Sequence, residues 1–553
     1  MQDFPHMNNN LAKIAALAAR DQLHQRAPFE PVARINYLSQ GRLLVVGEGE
    51  RIKQALQTLQ GVLSVAVFWA AKTTAPPMVD VEIKQGEIVA LGGYLGAFEL
   101  LWRANQTAPT QAAEFDLILD LQTIPLFKMP QPPQGYFHAG DSDGFAKACA
   151  ELPEMIGEFE KPKFFAYKES ICAHSRSQQQ GCNKCIDICS TVAIASAGDL
   201  VAVDPHLCMG CGACTTVCPS GAMSYQYPRV ADRGAELRAM LAAYRSADAK
   251  AAAPIFMFHH LDDGQLQQLL LPDNVLPIEV WHVASVGLDV MLGALAYGAA
   301  GVVILANGDE APGYATASQA EMATGETILH ALGYMGPHFV WATMNAGVDA
   351  PASAANAIGQ KSANTALAPP AAFHLSNDKR ATLEFAIEHF AKFAVAKPME
   401  IALSAGSMYG GITVNKDTCT MCLACAGACP ESALMDGGEI PQLKFLERNC
   451  VQCGLCANTC PEKAITLVPR LLMNDTRKKE VVLNEAEPFD CISCGKPLGT
   501  KMLIDKMLGK LAIHSMFQTE GSLKRLQMCA DCRVVDMMSN KNEISILTGR
   551  PIE

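Results

Sequence analysis

The sequence predicts a multidomain protein of mixed α/β and α+β class, in which two cysteine-rich modules alternate with two cysteine-poor α/β domains and a further cysteine group lies near the C-terminus. Three observations support this prediction. The chain has 553 residues, more than one hydrophobic core usually serves. Its 21 cysteines fall into three groups, apart from Cys149. Short apolar runs alternate with helical patterns in the cysteine-poor parts, which is typical of βαβ units.

The first cysteine-poor domain is predicted over residues 1–160. Its single cysteine, Cys149, lies in a helical pattern, and we expect it to be a small buried hydrophobic side chain. A helical stretch at 52–59 follows the first of several apolar runs of strand length, which predicts an α/β domain. The predicted strands are 42–46, 63–68, 79–83 and 115–119.

The second cysteine-poor α/β domain is predicted over residues 229–400. Its uncharged run 290–306 is interrupted by glycines, so it predicts a buried helix and then a buried strand, because a membrane span needs about 20 apolar residues in a row. Segment 345–370 is rich in Ala, Asn and Pro, which predicts a long loop. The other predicted elements are helices 234–244 and 379–393 and strands 255–258, 278–281, 302–305, 339–341 and 400–403.

The second cysteine-rich module, residues 401–470, contains two cysteine runs of identical spacing. Each follows the pattern C-x2-C-x2-C-x3-C-P, in which the two-residue gaps let three thiolates converge on one cluster. About fifty residues around these runs resemble the bacterial two-[4Fe-4S] ferredoxin family. The resemblance implies that the fourth cysteine of each run serves the other cluster. The implied ligand sets are Cys419, Cys422, Cys425 and Cys460 for one cluster, and Cys450, Cys453, Cys456 and Cys429 for the other.

The first cysteine-rich module, residues 161–228, resembles the same family but departs from its spacing in one run. Gln179 stands where the first cysteine is expected, and Cys172 is the natural replacement across a looped-out segment, 174–181. A three-iron cluster, or ligation by His174, are the alternatives. By the crosswise rule the ligand sets are Cys172, Cys182, Cys185 and Cys218 for one cluster, and Cys208, Cys211, Cys214 and Cys189 for the other.

The C-terminal region, residues 471–553, contains two C-x2-C pairs separated by a helical stretch at 501–517. Two such pairs supply four thiolates that converge as a tetrahedron, which predicts a structural Zn²⁺ site in a zinc-ribbon-like domain. A mononuclear iron site is the alternative, because the same four sulfur atoms can hold iron. The predicted ligands are Cys491, Cys494, Cys529 and Cys532.

Composition and charge narrow the classes of function. The formal net charge of -12 argues against a nucleic-acid surface. The first twenty residues lack the pattern of an export signal, so we expect a cytoplasmic protein whose clustered thiols bind metal rather than form disulfides. We also expect no membrane span, and no constellation of catalytic residues is evident.

The ferredoxin resemblance implies a polyferredoxin-like electron carrier that works with a redox protein partner. Chains that combine such modules with a zinc knuckle are similar to iron–sulfur proteins found with bacterial formate dehydrogenases and other molybdoenzymes. The segment that runs from Val283-Ala-Ser-Val-Gly-Leu-Asp through Val302-Val-Ile-Leu-Ala resembles the D-type small subunits of methanogen-type hydrogenases. Residues 254–345 lack that family's cluster-binding cysteines, so the resemblance implies a docking domain rather than a further cluster. The alternatives are an accessory or maturation factor for a molybdoenzyme, and an oxidoreductase subunit with its own flavin.

Overall fold

The computed structural model describes residues 5–24, 27–70, 80–362, 366–438, 440–514, 517 and 520–539. The N-terminal region is built on a parallel sheet whose central strand, Arg42–Gly47, reads Leu-Leu-Val-Val. These side chains alternate between the two faces of the strand, and both faces are buried. From edge to edge the strands are Glu82–Gln85, Ser64–Trp69, Arg42–Gly47, Leu117–Asp120 and Tyr136–His138.

Different elements pack on the two faces of this sheet. Helices Glu50–Leu59 and Ser142–Glu151 pack on the face of Leu43 and Val45. Cys149 packs against this core, but it is only half-buried rather than buried as predicted. An antiparallel sheet covers the other face. Its strands are Glu87–Gly92, Phe98–Arg103 and Gln111–Phe115, and a separate pair joins Arg34–Ser39 to Gly157–Pro162.

The second cysteine-poor region contains a four-stranded parallel sheet, as its alternating pattern predicted. The strands are ordered Val275–Glu279, Ile255–His259, Gly301–Ala306 and Phe339–Thr343. The run 290–306 forms most of a buried helix and one of the two inner strands of this sheet, which confirms the prediction. The helices of the region are Val230–Ala247, Asp263–Gln267, Leu288–Ala296, Pro312–Ala331, Ala350–Ser362 and Lys379–Phe393.

The predicted loop over 345–370 was wrong, because helix Ala350–Ser362 lies within it. The helix buries Ala354, Ala355 and Ile358 against the parallel sheet, and this packing outweighs a composition that favours a loop. Helix Pro5–His24 lies far away in sequence. Its alanines nevertheless enter the core on the opposite face of the same sheet, against helix Val230–Ala247.

The two cysteine-rich modules repeat one architecture of paired strands and two very short helices. In the first module Phe165–Tyr167 pairs with Met223–Tyr225, and Ile194–Ala197 pairs with Leu200–Val203. An additional hairpin, Ser175–Arg176 with Gln179–Gln180, forms the looped-out segment. The helices are Lys184–Ile188 and Ala213–Thr216 in the first module and Ala424–Ala428 and Leu455–Thr459 in the second, whose strands are Glu400–Ala402, Gly410–Val414, Leu434–Asp436, Gln442–Phe445, Ile465–Leu472 and Val481–Glu485.

The C-terminal region is a hairpin of Pro488–Asp490 with Pro497–Thr500, followed by helices. The helix predicted over 501–517 is Lys501–Leu511, and two positions of the remainder lie outside the described residues. Helices Glu520–Arg525 and Ala530–Ser539 follow. Within the described ranges, no helix combines the length and the apolar character that crossing a membrane requires.

Candidate metal centres

The regular cysteine loops share one backbone conformation. In the loop that begins at Cys419, Met421 and Leu423 have positive φ angles of 55° and 59°. Gln452 and Gly454 repeat this turn at the same two positions after Cys450. Non-glycine residues rarely adopt such angles, so their recurrence at equivalent positions indicates a conformation that the loop requires.

The loop at Cys419 turns its thiols toward one another. Burial raises the pKa of Cys425 to about 12, and the thiols of Cys422, Cys419 and Cys460 contribute to this increase. Cys460 comes from the other run. The structure therefore brings the four side chains of this predicted set together.

The second set in this module is arranged in the same way. Burial raises the pKa of Cys453 to about 12, with contributions from Cys429 and Cys450. Burial also raises the pKa of Cys456, to which the same two thiols contribute. Cys429 again belongs to the opposite run, so the grouping follows the predicted exchange of the fourth cysteine.

A second repeated turn follows every fourth cysteine. The residue three positions later has a positive φ in all four runs, including the irregular one. In that run the residue is Val192, whose β-branched side chain makes a φ of 53° a marked outlier. The irregular run therefore keeps the local geometry of the regular ones. The four residues are Val192, Gly221, Ser432 and Lys463.

In the first module, Cys172 lies within the group to which the sequence assigned it. Burial raises the pKa of Cys185 to about 12, and the thiols of Cys218, Cys182 and Cys172 add to this effect. His174, the alternative ligand, has both ring nitrogens in hydrogen bonds. Its Nε2 lies 2.8 Å from Ser196 Oγ, and its Nδ1 lies 3.1 Å from the Cys182 carbonyl oxygen.

The last predicted cluster set surrounds Cys214, which is deeply buried. Burial raises its pKa, and the thiols of Cys211, Cys208 and Cys189 raise it further. A smaller contribution comes from Cys185, a member of the neighbouring set. Four thiols in a largely apolar enclosure are the donors that a [4Fe-4S] cluster requires, so these residues fit such a group.

Three cations contact backbone carbonyl groups of the predicted ligands, and the sequence analysis missed all three. Lys161 Nζ donates to Cys208 O at 2.8 Å, and Lys379 Nζ donates to Cys218 O at 3.2 Å. Arg380 donates to the carbonyl oxygen of Cys450 in the other module at 3.3 Å. One signal could have revealed the last two, because basic residues in the first turn of a helix oppose its dipole.

Tyr314 links the second cysteine-poor region directly to a predicted cluster ligand. Its hydroxyl group donates to Cys211 Sγ at 3.1 Å, and the hydroxyl of Ser190 contacts the same phenol. Gly212, in the same cysteine loop, lies so close to Ser285 that a Cβ would come within 2.5 Å of the serine Cβ. Hydrogen bonds to cluster sulfur are one determinant of reduction potential, so Tyr314 is positioned to influence it.

The two cysteine modules touch through the additional hairpin. Asn458 donates to Gln180 O at 2.7 Å, and Lys184 Nζ donates to Gly406 O at 2.7 Å. The thiol of Cys182 contributes to the raised pKa of Cys453, although they belong to different modules. The hairpin therefore brings one predicted ligand set of each module close together.

The C-terminal cysteines form a compact group, with the Sγ atoms of Cys491, Cys494, Cys529 and Cys532 all within 4.8 Å of one another. Cys494 Sγ and Cys529 Sγ are 3.6 Å apart. A tetrahedral Zn²⁺ ion with bonds of about 2.3 Å separates its sulfur ligands by about 3.8 Å, so the group fits the ion. The backbone N–H of Cys529 donates to Cys491 Sγ and lowers the pKa of that thiol to about 6, which favours the thiolate that metal binding needs.

Four-cysteine groups inside paired-strand modules with repeated loop conformations are typical of ferredoxin-type iron–sulfur modules. The 4Fe-4S binding domain family matches three segments, residues 201–224, 412–435 and 444–466. These matches confirm the predicted [4Fe-4S] binding and its internal repetition. The irregular run from Cys172 to Cys189 lies outside the matched segments.

One similar protein is "Hydrogenase-4 component A" of Escherichia coli (strain K12), which is 29% identical over 83 residues. The matched part is 14% of this chain and 38% of the relative, so the chain spans well under half of that protein's length. Together with the domain matches, this similarity supports the predicted role in iron–sulfur electron transfer.

Proposed function

We propose that this protein holds four [4Fe-4S] clusters and one Zn²⁺ ion, and that it passes single electrons between a partner oxidoreductase and a second acceptor. The single observation that carries this proposal is the contact between the two modules, in which Asn458 donates to Gln180 O and Gly181 packs on Leu455, because it brings the two proposed cluster pairs side by side. A [4Fe-4S] cluster supplies one-electron chemistry when it is bound. The proposed cluster and zinc ligands are the twenty cysteines of the five groups described above.

The order of the ligand sets supports a continuous path. Within the first module the thiol of Cys185 contributes to the raised pKa of Cys214, which belongs to the neighbouring set. Within the second module Cys425 contributes to the raised pKa of Cys456 in the same way. The contacts of Gln180 with Asn458 and of Gly181 with Leu455 adjoin one set of each module, those of Cys182 and Cys456. These neighbours support an order in which the four proposed sets follow one another in a row, with the sets of Cys211 and Cys422 at its two ends.

The ends of the row have different surroundings, which supports separate sites for a donor and an acceptor. At one end the region proposed as a docking domain, residues 229–400, reaches Cys211 through Tyr314. At the other end the proposed zinc-binding domain, residues 471–553, contacts the second module, because Thr500 Oγ1 donates to Thr420 O at 2.9 Å. A partner on either domain would face a terminal ligand set.

The identity of the partner rests on similarity. The Escherichia coli relative is named as a component of a hydrogenase, which favours a redox enzyme complex as the partner. Among the oxidoreductases suggested by the sequence, formate dehydrogenase is the proposed partner. The other three domains of the proposed arrangement are the N-terminal α/β domain, residues 1–160, and the two cysteine-rich modules, residues 161–228 and 401–470.

Metal analysis of the anaerobically purified protein tests the proposal. We expect about sixteen irons and one zinc per chain if every thiol group is filled. The variant Cys172→Ser should lose iron from one site only, and Cys149→Ser is the matched control that should lose none. About eight irons in the unmodified protein, or equal iron in Cys172→Ser and the control, would contradict the four-cluster arrangement.

A further inference from the structure

The strands of the four-stranded parallel sheet all end on one side of that sheet, its carboxyl edge. The first strand in sequence, Ile255–His259, lies between the second, Val275–Glu279, and the third, Gly301–Ala306. The crossover direction therefore reverses between the first and third strands. In open parallel sheets, ligands bind outside the carboxyl ends of the strands at such a switch point.

Three potential metal ligands meet at this carboxyl edge. His260 follows the first strand, and Asp309 and Glu310 follow the third. One ligand atom from each lies within 4.8 Å of the others, and His260 Nε2 is 3.5 Å from Glu310 Oε1. A metal ion with bonds of about 2.1 Å holds its ligand atoms about 3 to 4.2 Å apart. Small side-chain movements would complete such an arrangement.

Two polar atoms at this carboxyl edge have unused bonding capacity. Within the described part of the chain, His260 Nδ1 and Asn307 Oδ1 are buried and have no hydrogen-bond partner. Buried polar atoms in native proteins nearly always have one, so these two require an explanation. Glu310, in contrast, is held in place. Its carboxylate accepts hydrogen bonds from the backbone N–H groups of Asn307, at 2.7 Å, and Gly308, at 2.8 Å.

We propose that His260, Asp309 and Glu310 bind a divalent first-row transition-metal ion at this switch point. One imidazole and two carboxylates form a mixed donor set that suits Mn²⁺, Fe²⁺ or Zn²⁺ rather than a thiol-seeking ion. His260 offers one ring nitrogen to the ion, and the buried Asn307 Oδ1 is then available to the ion or to its bound water. This site is separate from the twenty cysteines, and the proposal does not rest on the proposed electron path.

The site also has a defined position relative to the cysteine modules. The ring of His260 stacks on His282 with centroids 5.2 Å apart, and His282 contacts Tyr314 edge to face at 5.3 Å. Tyr314 in turn donates to Cys211 Sγ. Three side chains therefore separate the proposed ion from a proposed cluster ligand, which places its positive charge at one end of the row of ligand sets.

Titration with Mn²⁺ tests the site in the full-length protein with its clusters and zinc in place. Oxidised [4Fe-4S] clusters are diamagnetic, so the EPR spectrum of free Mn²⁺ reports binding directly. We expect one Mn²⁺ to bind per chain, and Zn²⁺ to displace it because Zn²⁺ is the stronger binder of the two. The variant Asp309→Asn should weaken binding at least about tenfold.

The controls separate loss of a ligand from loss of structure. Asp309 is exposed, so Asp309→Asn should retain the iron content and thermal stability of the unmodified protein. Asp263 is an exposed carboxylate in the neighbouring helix and outside the group, so Asp263→Asn should bind Mn²⁺ normally. No binding by the unmodified protein, equal binding by Asp309→Asn, or failure of Zn²⁺ to compete would each overturn the proposal.

Discussion

Gly181 and Leu455 belong to different cysteine modules and lie in direct contact: a Cβ at position 181 would come within 2.5 Å of Leu455 Cγ. Gly181 precedes Cys182, and Leu455 precedes Cys456. Because both residues adjoin cysteines, their contact determines how far apart the two ligand loops lie. The hairpin that interrupts the regular cysteine spacing thus connects the modules.

Substitution of Gly181 by alanine should separate the modules. The added Cβ would also meet Ala173 O at 2.5 Å, and such overpacking costs about 1 to 3 kcal/mol in the free energy of unfolding. In the fully reduced protein, EPR spectroscopy should show a weaker magnetic interaction between clusters of different modules. Gly427→Ala is the matched control, because a Cβ there meets nothing within 4 Å. Identical spectra and stabilities for the two variants would contradict this role of Gly181.

Removal of the Tyr314 hydroxyl should lower the reduction potential of the cluster bound by Cys211. A hydrogen bond to sulfur stabilises the more negative, reduced state, and a net value of about 1.4 kcal/mol corresponds to about 60 mV for one electron. Redox titration followed by EPR would measure the change in Tyr314→Phe. Tyr334→Phe is the control, since its hydroxyl donates to Phe390 O, away from the cysteine modules. An unchanged potential in Tyr314→Phe would show that this hydrogen bond has no influence.

The sequence predicted most strands of the two parallel sheets and the grouping of the cysteines, because both depend on local patterns, but it missed most of the short antiparallel strands. Apolar runs located the parallel strands to within a few residues, and regular spacing identified the cysteine loops. Helix Ala350–Ser362 was missed because its stability comes from packing Ile358 on the sheet rather than from its own composition. Local pattern carries no information about such tertiary contacts.

The same limit explains which parts of the site were missed. Tyr314 lies 103 positions from Cys211, and Lys379 lies 161 positions from Cys218, so no spacing rule relates them. The role of hairpin Ser175–Gln180 was also invisible, because its partner Asn458 lies in the other module. The positive φ of Val192 could have been expected only by aligning the four runs on their last cysteines, which places Val192 at the position of Gly221.

Replacement of Lys379 by methionine should destabilise the first module and lower the potential of the cluster bound by Cys218. The lysine is 7% exposed and donates to the carbonyl groups of Thr215, Thr216 and Cys218. Loss of this ammonium group leaves buried carbonyl groups without a hydrogen-bond donor, at a cost of about 1 to 3 kcal/mol each in the free energy of unfolding. Removal of a nearby positive charge disfavours the reduced, more negative cluster. Chemical denaturation and redox titration would measure both effects.

Lys392 provides a control on the same helix. It lies exposed near the opposite end of Lys379–Phe393, so Lys392→Met removes the same charge without removing contacts to a cysteine loop. We expect its stability and potentials to match those of the unmodified protein. If Lys379→Met and Lys392→Met behave alike, the cation has no specific effect on the cluster.

Loss of the proposed C-terminal Zn²⁺ ion should unfold only the region that holds it, residues 488–539. Structural zinc contributes about 10 kcal/mol or more of binding free energy to small domains, far more than the few buried side chains of this region provide. In Cys494→Ser we therefore expect no zinc, rapid proteolysis between residues 488 and 539, and unchanged iron content. Cys149→Ser should retain zinc and resist the protease. Full zinc occupancy in Cys494→Ser would refute the assignment, and iron in place of zinc in the unmodified protein would identify the mononuclear iron site instead.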